Sequence, residues 1–182
     1  AIPSIGPTVR AMATADTTIP QIPYDPQGAM RVLDSLGWHT GADGIRVRSG
    51  RTLAFTIMVP SSSKDREKLA VLMQDQFKRV GAKVDVLSGE PNVFERQQYA
   101  HMVDGVIEAW LADPSPGGIR ESWGSAAAHT EGSKNYGDYA NAVFDVQVDS
   151  ALHATTRPTA RSLFSRAFRT VIADAPAIWL FE

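Results

Sequence analysis

Four histidines, at positions 39, 101, 129 and 153, are the first residues to weigh for chemistry. None has a partner at a zinc-like spacing such as His-x-x-x-His, and no cysteine exists to complete a thiolate site. Surface or loop histidine is the simpler account. The lack of cysteine also removes disulfides and a cysteine nucleophile. There is no Walker loop, no Gly-x-Gly-x-x-Gly after a strand and no Gly-x-Ser-x-Gly elbow. Gly117-Gly118 follows an apolar run, but without a helix start or a lysine it reads as a flexible turn. Glu90 and Glu95 read as helix-start and surface charges, and neither they nor Asp104 make a convincing acid/base pair. Glu108 is the odd carboxylate, set in the apolar run Val106-Ile107-Glu108-Ala109-Trp110. Exposure on one face of the strand explains it more simply than catalysis. No catalytic constellation emerges.

Asp113 differs from the rest. It follows Ala109-Trp110-Leu111-Ala112, just past the carboxyl end of an expected strand, where open α/β sheets bind their ligands. A carboxylate there, beside Trp110, could receive an ammonium or hydroxyl group. The competing account is that Asp113 caps the turn before Pro114. The residues alone leave both open.

The elements that must position these groups begin at Tyr24-Asp25-Pro26. Asp25 can cap a helix whose first position suits Pro26; Ala29, Met30, Leu33 and Leu36 share a face, and Gly37 stops it. Ile45 and Val47 alternate with Arg46 and Arg48, Ser49-Gly50 turns the chain, and Leu53, Phe55, Ile57 and Val59 alternate again, predicting two strands. A helix is expected over about 63–80, with Ser62-x-x-Asp65 as capping box and Leu69, Leu72, Met73, Phe77 and Val80 as its buried stripe. A strand over 83–87 completes a βαβ unit. The pattern repeats with a helix from Pro91 to about His101 and a strand over 103–111, giving an α/β, mostly parallel sheet flanked by helices.

From Ala112 to Ala142 the periodicity breaks into Gly, Ser, Pro and Asn, with Trp123, Tyr136 and Tyr139 among them. A loop of about 30 residues is usually functional or disordered, and the aromatics favour function. Helices over about 143–154 and from Pro158 to Pro176 follow, then a final strand over 177–181. Residues 1–23 carry four prolines and little periodicity, predicting an extended lead-in or linker.

Composition is that of an ordinary globular chain: 182 residues, 43% hydrophobic and 21% charged. A formal charge of −2 argues against a nucleic-acid or polybasic membrane surface. No apolar run is long enough to span a bilayer.

Several of these segments together resemble the C-terminal lobe of solute-binding protein family 5, the dipeptide, oligopeptide and nickel receptors of ABC importers. They are Tyr24-Asp25-Pro26-x-x-Ala29 with Leu33, Gly37-Trp38 and Asp43-Gly44-Ile45; Gln76 to Val84; Ala109-Trp110-Leu111-Ala112-Asp113-Pro114; Asn135-Tyr136-x-x-Tyr139-x-Asn141 with Phe144-Asp145; Arg161-x-Leu163-Phe164; and Asp174 to Leu180. The resemblance covers residues 24–182 and implies one lobe of a periplasmic-binding-protein type II fold, with the N-terminal lobe and a return strand outside this chain. The abrupt start at Ala1 and stop at Glu182 agree with that expectation.

The resemblance further implies a non-enzymatic receptor, periplasmic or extracytoplasmic and membrane-associated when whole, that acts by hinge closure and delivers its solute to an ABC permease. It implies a monomer with no cofactor, no metal and no nucleic-acid partner, and a small solute as ligand, with a peptide favoured. Asp113 matches the position that receives a peptide's amino terminus, and Trp110 the aromatic of the same motif. Trp123, Asn135, Tyr136 and Tyr139 fall in the cleft-facing segment. Asp113-Pro114-Ser115-Pro116 lacks the tyrosine and second acid that commonly precede the proline, so other solutes stay open. The alternative function is a standalone α/β enzyme, or a sensor domain, using the Asp113 strand end.

Overall fold

The computed structural model describes residues 1–109 and 115–182. They form two units, residues 24–109 and residues 1–23 with residues 115–182.

In the first of these, helix α1 (Pro26–Ser35) starts where Asp25 accepts the Gly28 N–H at 2.8 Å. Three short strands follow, β1 (His39–Thr40), β2 (Arg46–Arg48) and β3 (Arg51–Thr52), paired antiparallel in that order. Then come β4 (Ala54–Pro60), α2 (Lys64–Arg79), β5 (Lys83–Gly89), α3 (Pro91–Tyr99) and β6 (Gly105–Val106). Strand β4 lies between β5 and β6 and is parallel to both, so the α/β pattern and its parallel sheet are present. Ile57, Met58, Val59, Ala70, Ala82, Val84, Phe94 and Ile107 form the buried side.

Four local expectations change. Ser63 rather than Ser62 caps α2, its hydroxyl accepting the Arg66 N–H at 3.4 Å; Arg66 then holds the place a capping box would give an acid. Leu72 is exposed, and Ala70 is the fully buried residue of α2, because the helix presses a narrow strip on the sheet. Arg46, expected to alternate outward, is buried. Its guanidinium donates to Val80 O (2.9 Å), Asp34 Oδ1 (2.5 Å) and Trp38 O (2.7 Å), tying α1, β2 and the end of α2 together. Gly81 makes room for it: a Cβ there would sit 2.8 Å from Arg46 Cγ, and its φ is +86°. The strand expected over 103–111 is shorter: β6 is Gly105–Val106, and its remainder from Trp110 lies outside the described residues.

The second unit holds α4 (Ile119–Trp123), α5 (Ala142–Leu152) and α6 (Arg157–Asp174). Asn141 caps α5 through bonds from the Val143 and Phe144 N–H groups, and Thr156 caps α6. Phe144, Val148 and Ala151 of α5 pack with Phe164, Ala167, Phe168, Val171 and Ile172 of α6 around one core. The long irregular segment is therefore partly helical, with α4 flanked by 3-10 turns at Pro116–Gly118 and Ser125–Ala127.

Residues 1–23 are folded onto this unit rather than running free as a linker. Ile5, Ala15 and Ile19 are buried, Asp16 accepts from Ser165 Oγ at 2.5 Å, and Arg161 donates to Ala15 O at 3.0 Å. Scattered apolar residues among prolines bury without any period for a pattern to register. The final strand expected over 177–181 reduces to one antiparallel bridge between Pro3 and Phe181, flanked by Ile2–Glu182 and Ser4–Leu180 backbone bonds.

Candidate functional site

A βαβ sheet exposes its next helix N-terminus and its strand ends along one edge, and that edge is where α/β folds place ligands. Here it is formed by Pro60 of β4, Ser88-Gly89 of β5 and the chain leaving β6, with the first turn of α2 directly following β4. Glu67 in that turn accepts from Lys64 Nζ (2.8 Å) and Ser88 Oγ (2.6 Å), and these two bonds hold its carboxyl below the usual range. Glu108, the odd carboxylate of the sequence, accepts from the Ala109 N–H at 2.7 Å and pairs with Arg66 Nη2 at 3.3 Å. It is thus an ion-paired anchor at the strand end, not a free acid. Trp110 and Asp113 lie outside the described residues.

The other four candidates sit in the helical unit. Asn135 is 1% exposed, and its side chain is fully engaged: Nδ2 donates to Gly124 O (3.2 Å) and Tyr139 O (2.8 Å), and Oδ1 accepts the Tyr139 N–H (2.9 Å). That pattern fastens the 124–139 loop to itself. Trp123 is 8% exposed within the core, edge-on to Trp179 at 5.1 Å between ring centroids and to Tyr139 at 6.3 Å. Tyr139 donates its hydroxyl to Asp174 Oδ2 at 2.7 Å; burial, then that carboxylate, push its pKa well up. Tyr136 is half-buried. Three of these four, Trp123, Asn135 and Tyr139, therefore build the loop.

Sequence reading missed Arg66, Glu67 and Ser88 as strand-edge groups. The signal was present in the polar turn Ser61-Ser62-Ser63-Lys64-Asp65-Arg66-Glu67 directly after an apolar strand. Among the described residues no three His, Asp or Glu side chains converge as a metal site would require, and no helix is long and apolar enough to cross a membrane.

Residues 1–129 match the family model described as bacterial extracellular solute-binding proteins, family 5 Middle. The chain belongs to that family. Oligopeptide-binding protein AppA of Bacillus subtilis is 24% identical over 169 residues, covering 91% of this chain and 31% of AppA. The solved structure of AppA in complex with a nonapeptide superposes with a TM-score of 0.87 at 22% identity, over 98% of this chain and 36% of that one. The periplasmic binding protein DppA of Helicobacter pylori, in complex with peptide STSA, gives 0.86 at 20% identity, over all of this chain and 33% of its own. NikZ of Campylobacter jejuni, in complex with Ni(L-His), gives 0.81 at 21% identity, over 92% and 34%. The periplasmic-binding-protein fold is thereby established for this family 5 chain. It spans less than a third of the length of the curated relatives it matches.

Proposed function

We propose that this chain is a ligand-recognition lobe of an extracytoplasmic ABC-importer receptor, one of two lobes that close on a small solute and present it to a permease. The family 5 match over residues 1–129 carries the reading, because that span includes the strand-end motif Trp110-Leu111-Ala112-Asp113. A peptide is the favoured ligand: AppA and DppA are described with peptides bound, against Ni(L-His) for NikZ. Asp113 receives the ligand's ammonium group, Trp110 lies against its apolar part, and Tyr136 adds a contact from the helical unit. Trp123, Asn135 and Tyr139 hold the loop that carries Tyr136. The receptor acts as a monomer, without a cofactor and without chemistry of its own.

The test is calorimetric titration of the whole receptor with tetra-alanine, Ni(L-His) and mannohexaose. Saturable binding of tetra-alanine is expected, with Asp113→Ala raising Kd by roughly 10- to 150-fold, as loss of a charge-assisted hydrogen bond of about 1.5–3 kcal/mol requires. Binding of Ni(L-His) or mannohexaose alone would move the ligand class. Turnover of a probe would overturn the receptor reading itself.

A further inference from the structure

Strand β6 runs parallel to β4 with Ile57 opposite Gly105 and Met58 opposite Val106. The Ile107 N–H continues this ladder to Met58 O at 3.3 Å. In a parallel ladder the next bond would run to the Ile107 carbonyl from the N–H two residues beyond Met58. That residue is Pro60, which has no N–H to give. The backbone ladder therefore ends at Ile107, just before the Trp110–Asp113 segment begins.

Glu108 is the next residue, and its carboxylate takes up an N–H just beyond the end of the ladder. Oε1 accepts the Ala109 N–H at 2.7 Å and stands 3.3 Å from Arg66 Nη2, on the first turn of the helix that follows β4. Both side chains are largely covered, 18% exposed for Glu108 and 24% for Arg66. A half-buried charge pair gains little net stability, since desolvation offsets much of the attraction, but it fixes geometry closely.

We infer that Arg66 and Glu108 are positioning residues for ligand recognition: beyond the point where the backbone ladder stops, their ion pair and the Ala109 N–H bond to Glu108 hold the chain that leads into Trp110 and Asp113. Neither is assigned a contact with ligand. The inference rests on the proposed role of Asp113.

The whole receptor is titrated with tetra-alanine as wild type, Arg66→Ala, Arg66→Lys, Glu108→Gln, Asp113→Ala and the Arg66→Ala/Asp113→Ala double variant, with Tm recorded for each. The expected result is a five- to thirtyfold rise in Kd for Arg66→Ala and Glu108→Gln, with most of the affinity recovered in Arg66→Lys. The double variant should be no weaker than Asp113→Ala alone, because Arg66 acts through that segment. Unchanged Kd in Arg66→Ala with a strong Asp113→Ala effect would overturn this inference and leave the proposed function standing. A fall in Tm without loss of affinity well below Tm, or failure of both Arg66→Ala and Glu108→Gln to fold, would show the pair to be structural only. A neutral Asp113→Ala would instead remove the reading on which it rests, and the inference with it.

Discussion

At the residue scale the charged side chains are mostly fasteners. Asp16 shows it best: the Ser165 hydroxyl, then the hydroxyl and N–H of Thr18, donate to its carboxylate and lower its pKa from 3.8 to about 2. A carboxyl whose folded pKa lies below its unfolded one contributes stability that is complete above the unfolded value. That contribution is lost as the pH falls from about 4 through 2. Between pH 6 and pH 2 the Tm of Asp16→Asn should therefore fall less steeply than that of the wild type, as scanning calorimetry would record. Parallel curves would show that the clamp between residues 15–18 and α6 is inert. Asn135 makes a second case. Asn135→Ala strands the Tyr139 N–H and the Tyr139 carbonyl, where each unsatisfied group costs about 1–3 kcal/mol, while Gly124 O keeps the Ala127 N–H. A loss of that order or more in urea unfolding is expected, and a neutral result would mean water replaces the amide.

At the scale of elements, α5 and α6 hold the helical unit. Phe164 is fully buried and stacks on Phe168 at 5.8 Å, whereas Leu163 is only half-buried at the rim of the same core. Phe164→Ala should cost about 3–5 kcal/mol in urea unfolding and Leu163→Ala distinctly less, since the cost tracks the cavity left. Equal losses would mean that Leu163 carries as much of the core as its neighbour. Where helices announce themselves by caps and period, the sequence was readable: Asp25-Pro26 and Pro158 mark starts that the structure keeps within a residue or two. The βαβ order was readable for the same reason. The short pieces were not. Helix α4 spans Ile119–Trp123, too few residues for a period to appear, and the burial of Ile5, Ala15 and Ile19 depends on long-range packing. Asn135 entered through the family resemblance of its segment, and no such likeness foresees that its amide would bond Gly124 and Tyr139 within its own loop. Arg46 looked solvent-facing because alternation cannot foresee four carbonyl and carboxylate acceptors supplied by α1, the turn after it and the residue that ends α2.

At the scale of the whole molecule, the division into two units carries its own prediction. Residues 24–109 are continuous in sequence, and their sheet, flanking helices and Arg46 hub draw all their described bonds from within that span. The buried set from Ile57 to Ile107 is small for an independent core, and domains of this size are only marginally stable. Arg46 offsets part of that deficit by satisfying Val80 and Trp38 carbonyls that would otherwise face the interior unpaired. Expressed alone, residues 24–109 should therefore fold, with a cooperative urea transition read by the emission of Trp38, the sole tryptophan in that span. Arg46→Met keeps the apolar stem but removes four donated bonds, and should shift that transition to lower urea by at least about 2 kcal/mol, since each stranded acceptor costs about 1–3 kcal/mol. A broad, non-cooperative transition in the wild-type fragment would mean that the sheet depends on chain outside 24–109. A cooperative fragment indifferent to Arg46→Met would place its stability in the parallel ladder alone and leave the guanidinium without an energetic role.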